Sequence, residues 1–153
     1  MKALTTLQIN EILKNNDVTK DIFIGTYPAC IIPETRKSKY TFVSNTHVHE
    51  KPGEHWNAWF VEGDTVTFFD SFGRSVFDKT LPAYYRDFVK NFKIVKCNIV
   101  QVQHFKSIAC GYFCVHFIYL ATLGFNFKHF LSDYSTDLKS NDLVVFDIIN
   151  LIK

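Results

Sequence analysis

The run from Cys110 to Leu123, "CGYFCVHFIYLATL", is long enough for a helix and apolar almost all the way round. A helix of that kind has no face to give to water. It has to be enclosed, so the remaining chain must supply a sheet and other helices to surround it. Gly124 marks its end. With 153 residues, 47% of them hydrophobic, the chain can bury one sizeable core, and residues 1–153 are read as a single domain. Sixteen Phe, seven Tyr and two Trp predict a core built on rings, with aromatic surface left for a cleft or a partner.

The other elements follow from local signals. Thr5 or Thr6 caps a helix carrying Leu7, Ile9, Ile12 and Leu13, which ends near Asn15-Asn16. "DIFIGTYPACIIP" reads as short extended pieces broken by Gly25, Pro28 and Pro33. "KYTFVSNT" is a strand, and "NTHVHEKPGEH" a loop with Pro52-Gly53 as its turn. "HWNAWFV" and "TVTFFD", separated by a Gly63-Asp64 break, read as a β-hairpin. A helix is expected near Lys79–Phe92 with Pro82 in its first turn. "KIVKCNIVQVQ" is β-rich and reads as a central strand. Ser140, Asn141 or Asp142 caps a last helix. The sum is an α+β chain: a small, mostly antiparallel sheet packed with helices around the buried central one.

Some classes are set aside by the totals. A formal net charge of +2 is too small to argue for nucleic acid, and Arg36, Lys37 and Lys39 read as a solvated loop. The N-terminus is too polar for a signal peptide, and the longest apolar run is too short to span a membrane. The expectation is an intracellular, monomeric protein, neither secreted nor in a membrane. Cysteines at 30, 97, 110 and 114 are too few and too uneven for a secreted disulfide framework, so reduced thiols are the default.

One of those thiols is singled out by position. Cys110 stands where a loop turns into the buried helix, whose N–H groups and positive end favour a charged sulfur. Gly111 keeps the next position without a side chain, so that a substrate carbonyl can approach. His55 begins one strand of the predicted hairpin and Asp70 ends the other, about opposite. An Asp beside a His fixes its tautomer and stabilises its imidazolium, which makes the pair a base and its orienter. Gln103, on the segment before Cys110, offers a side-chain amide to a developing oxyanion.

"GEHW", "FFDSFG", "VQ" and "SIACGYFC", in this order and at these spacings, resemble the adenovirus-type cysteine proteases. More distantly they resemble the proteases that process ubiquitin-like proteins such as SUMO. "FIGTY" and "SNT…GEHW" extend the likeness to roughly residues 5–125. The resemblance implies an adenain-like fold, with His55 as general base, Asp70 as orienter, Gln103 as oxyanion donor and Cys110 as nucleophile. It implies Trp56 as a ring bordering the narrow groove for the substrate's glycines. It implies cleavage of viral precursor and capsid proteins after small residues such as Gly during virion maturation, in the virion and host cell nucleus. No cofactor is needed for the chemistry, but the family uses an activating peptide, held by a disulfide, and DNA as a second activator. Cys97 lies in the region of the disulfide-forming cysteine, at a shorter spacing to Gln103; a buried thiol is the other reading of it. Asp70-Ser71 follows the SUMO-protease form rather than the Glu-Pro usual in the adenovirus enzymes.

Competing readings stand beside this one. The same chemistry serves a deubiquitinase or deSUMOylase-like isopeptidase acting on host conjugates. A silent binding module on the same fold has no physical need of His55, Asp70, Gln103 and Cys110 together. Cys110, Cys114, His116, His47 and His49 are metal-binding residue types. No CxxC occurs, however, and Cys114 and His116 do not share a helix face, so no metal is expected.

Overall fold

The computed structural model describes residues 1–31, 33, 35–47 and 55–153. The sequence-predicted turn at Pro52-Gly53, and His49, lie outside them. Helix α1 (Thr6–Asn15) opens on a capping box: Thr5 accepts the Gln8 N–H and the Gln8 side chain accepts the Thr5 N–H. Five strands follow the order β1 (Phe23–Tyr27), β2 (Lys39–Asn45), β3 (Trp56–Glu62), β4 (Thr65–Phe69) and β5 (Ile94–Cys97) across one sheet. The β2–β3 and β3–β4 pairings are antiparallel and the two outer pairings parallel. The sheet is therefore mixed. Helix α2 (Ala83–Val89) lies on the crossover that makes β5 parallel to β4. Helices α3 (Cys110–Thr122), α4 (Phe127–Ser132) and α5 (Leu138–Ile152) complete the chain.

Alternation along the strands sends side chains to two separate cores. Phe42, Trp59, Val66 and Phe68 pack with Tyr85, Phe88 and Val89 of α2. Val43, Ala58 and Phe69 pack on the other face with α1, α3 and α5. Phe113, Phe117 and Ile118 of α3 are fully buried there, so the all-round apolar helix is enclosed as its composition requires.

Three local expectations shift. β5 is a four-residue edge strand paired with β4, not a central one, and directly after it the Asn98 side chain bonds the backbone of Asp70. α2 starts only after Pro82; Asp78 accepts both the N–H and the hydroxyl of Thr80 and holds the preceding residues in a turn. α5 begins earlier, with Asp137 at its N-cap, and Asn141 and Asp142 are spent elsewhere.

Candidate active site

The β3–β4 register places Ala58 opposite Phe69, so Asn57 faces Asp70 by extension. His55 is two residues further on and meets Asp70 diagonally, on the same face of the hairpin. The reach is sufficient: Nε2 of His55 lies 2.6 Å from Oδ1 of Asp70, with His55 5% and Asp70 0% exposed. An ionised carboxylate only accepts, so Asp70 keeps a proton on Nε2 and leaves Nδ1 to face elsewhere. The residue that the register would set opposite His55 is Phe72, just past the strand. Its ring stacks on the imidazole with centroids 4.6 Å apart.

Asp70 is held from four sides. Asn98 accepts its backbone N–H at 3.0 Å and donates to its backbone carbonyl at 2.6 Å. Oδ1 also accepts the Phe72 N–H, and Oδ2 accepts Nε of Arg74 at 2.7 Å. Burial pushes the Asp70 carboxyl up, but the His55 bond and the His55 and Arg74 charges outweigh it and leave the carboxyl below its ordinary range. The turn that brings Arg74 round passes through Gly73 at φ +78°. A Cβ at Gly73 would stand 2.6 Å from the backbone nitrogen of Gln101, so the close approach admits only glycine.

Cys110 is the first residue of α3 and 7% exposed. Ala109 provides no side-chain cap and the first turn holds no acidic residue, so the helix itself leaves its positive end to Cys110. Cys110 lies near enough to the His55 ring to act on its charge. Burial alone would push the imidazole down. The bond to Asp70, followed by the influence of Cys110 and the Asp70 charge, overcomes it and lifts His55 to about 9. The structure thus brings His55, Asp70 and Cys110 together, and the arrangement can hold a proton on the imidazole beside a sulfur.

Gln103 is fully buried on the segment leading to Cys110. Its Oε1 accepts the Ser71 hydroxyl at 2.5 Å, and Nε2 donates to the Ser107 carbonyl at 2.8 Å. Nε2 also has a longer contact, with the Ser107 hydroxyl at 3.4 Å. Ser71 therefore ties the amide to the residue after Asp70.

Around Gly111 the structure is fuller than the sequence suggests. A Cβ there would stand 3.0 Å from Cβ of Leu4 and 3.4 Å from Cδ1 of Trp56. The indole of Trp56 donates to the Leu4 carbonyl at 3.1 Å. Gly111 is buried beneath the segment before α1, and that packing by itself accounts for a glycine. Cys97 ends β5 opposite Phe68 and packs against the α2-side core; neither it nor Cys110 nor Cys114 is in a disulfide. Among the described residues no three His, Cys, Asp or Glu side chains converge as a metal site. Sequence reasoning missed Phe72, Arg74 and Asn98. An Asn interrupting "KIVKCNIVQVQ" was the available signal for the last.

No protein-family model matches the chain, and no curated protein matches it in sequence. Among solved structures it is similar to the crystal structure of ASFV pS273R protease, with a TM-score of 0.62 and 18% identity over 94% of this chain and 66% of that one. The selenomethionine form of ASFV pS273R protease gives a TM-score of 0.49 and 23% identity over 71% of this chain and 43% of that one. The chain spans just under two thirds of the length of the first. What is shared at such identity is the fold.

Proposed function

We propose that the chain is a cysteine endopeptidase with Cys110 as nucleophile, His55 as general base and acid, and Asp70 as the orienter of His55. One observation carries the reading: a desolvated His55–Asp70 pair, 2.6 Å apart, faces a cysteine at the uncapped N-terminus of a buried helix. A structural role for the three would not need a charged pair in a dry site. The protease named for the similar fold supports the same reading.

In the mechanism, Nδ1 of His55 takes the thiol proton while Nε2–H stays on Asp70. The sulfur attacks the scissile carbonyl carbon, and the carbonyl electron pair moves to oxygen. The second N–H of Gln103 and the backbone N–H of Cys110 receive that oxyanion. The tetrahedral species collapses, and His55 gives its proton to the leaving amine. A water then adds to the thioester with His55 as base, releasing the acid and restoring the thiol. Asp70 stays ionised throughout, held there by Arg74. Substrates carry Gly before the cut, and precursor proteins of a virus are the class the sequence resemblance favours.

The test is alkylation at pH 6 with limiting iodoacetamide, read by peptide mass mapping on wild type and His55→Ala. An ordinary thiol, with a pKa of about 8.5, hardly reacts there. Cys110 is expected to label well ahead of the half-exposed Cys30 and Cys97, and His55→Ala to remove the lead. Equal labelling of the three in wild type would overturn the reading.

A further inference from the structure

We propose that Ser71 is a positioning residue for the Gln103 amide; this rests on the protease reading above. The last torsion of a glutamine is soft, so no rotamer preference fixes the plane of its amide. Bonds at the two ends of the amide must do so. The Ser107 carbonyl can only accept, and it lies 2.8 Å from Nε2. That turns Oε1 toward Ser71, where the oxygen needs a donor. The Ser71 hydroxyl meets it at 2.5 Å. Ser71 is 1% exposed and Gln103 0%, so bulk water does not stand in for that proton. An amide nitrogen carries two N–H groups. With Oε1 pinned by Ser71 and one N–H by the Ser107 carbonyl, the plane is set, and the second N–H is aimed as the donor assigned to the oxyanion.

The backbone of Ser71 repeats the grip. Its carbonyl accepts the Val102 N–H at 2.9 Å and the Gln103 N–H at 3.0 Å. Main chain and side chain of one residue therefore hold the same glutamine. The Gln101 side chain adds a bond to the Gln103 carbonyl at 2.9 Å. Asp70, which bonds His55, is the residue before Ser71. Asn98 clamps the Asp70 backbone, and Gly73 lies against the backbone of Val100 and Gln101, so residues 70–73 dock on residues 98–103 as one unit. The base and the oxyanion donor are thus aimed from adjacent residues, His55 by the Asp70 carboxylate and Gln103 by a neutral hydroxyl. That hydroxyl spends its proton on Gln103, so its effect falls on the step in which an oxyanion forms and not on the charge of Cys110.

The experiment compares two reactions of Cys110. Alkylation by iodoacetamide at pH 6 forms a carbon–sulfur bond and expels iodide, and no oxyanion arises. Cleavage of acetyl-Gly-Gly-Gly 4-nitroanilide passes through one. Both rates are measured in wild type, Ser71→Ala, Gln103→Ala and the double variant. In Ser71→Ala, kcat for the anilide should fall roughly tenfold to hundredfold, less than the 10²–10³ of removing a donor outright. KM and the labelling rate should stay within about twofold of wild type. Because Ser71 acts through Gln103, the double variant should cleave no more slowly than Gln103→Ala alone. If Ser71→Ala does not fold, Ser71→Cys, with a weaker donor in the same place, carries the same test. Unchanged kcat, a labelling rate that falls in step with kcat, or additive losses would overturn the inference and leave the protease reading standing. A wild type that labels first at Cys110 but does not cleave the anilide overturns the inference as well. A wild-type Cys110 that labels no faster than Cys30 and Cys97 overturns the inference and the protease reading together.

Discussion

His55 meets the first residue of α3, and His116 lies in its second turn. His55 is buried and His116 partly so, and for both, burial is the strongest influence and pushes the imidazole down. His116 follows burial. Its Nδ1 is 2.8 Å from the Tyr134 hydroxyl, Phe130 packs beside it, and only the charge of Asp133 opposes, so it falls to about 4. His55 goes the other way, to about 9, because its partner is a carboxylate that is itself out of water. A thiol of the same helix follows burial as His116 does. Cys114 is fully buried without a cationic partner, and its thiol is pushed well above the ordinary value by burial first and nearby negative charge second. Cys110 has His55. Depth in the fold does not separate a reactive group from an inert one; an ionised partner at hydrogen-bond distance does.

The largest effect comes from removing that partner. In Asp70→Asn the geometry is retained and the charge is lost. His55 should then fall below 6.5 like His116, and turnover of a Gly-Gly peptide amide should drop by about 10³–10⁴-fold, the scale for losing the acid of such a triad. Histidine ring NMR titration reads the first and initial rates the second. An Asp70→Asn protein whose His55 still titrates near 9 would break the comparison.

The parts of this site that were legible in the sequence are those with local signals. A loop turning into an apolar helix fixes Cys110, and a Gly-Asp hairpin break brings His55 and Asp70 to one end of a strand pair. The diagonal offset was not legible, because the turn pair alone does not fix the register. Asn98 reaches Asp70 across 28 residues, and Asp142 and Asn141 reach the Gln103 segment across 38 and 39. Those bonds join side chains to backbone in loops, where no periodicity announces them. The edge placement of β5 escaped for a related reason: strand order is set by tertiary packing, and a β-rich run does not announce it.

The two histidines also pull stability in opposite pH directions. His55 binds its proton more tightly folded than unfolded. Its contribution is complete below about 6.5 and is lost as pH rises through about 9. His116 binds its proton less tightly folded. Its contribution is present above 6.5 and is lost as pH falls through about 4. Replacing His116 by Phe removes the bond to Tyr134, so the variant should be weaker than wild type at pH 7.5. The gap should narrow at pH 4.5 by about 1–2 kcal/mol, allowing for a ring only partly shielded from water. Urea midpoints at the two pH values measure this, and a constant gap would mean that His116 binds its proton equally well in the folded and unfolded states.

The smallest effect separates packing from charge within the first turn of α3. Alanine is favoured over glycine inside a helix by about 1 kcal/mol. At Gly111 that gain meets the Leu4 Cβ at 3.0 Å, closer than side chains sit without adjustment. Gly111→Ala should therefore be nearly neutral or destabilising in the wild-type chain. Leu4→Ala keeps the crowding Cβ but removes the branched group whose Cδ1 lies 3.4 Å from the same point, so the segment before α1 can shift outward. In that background Gly111→Ala should become stabilising, by up to about 1 kcal/mol. Urea midpoints of the four proteins complete the cycle. The His55 titration should be unmoved in all of them, since neither substitution touches Asp70. If Gly111→Ala stabilises equally in both backgrounds, Leu4 is not what requires the glycine. If the His55 titration shifts with Leu4, the packing of this turn helps set the charge on His55 and the two regions are not independent.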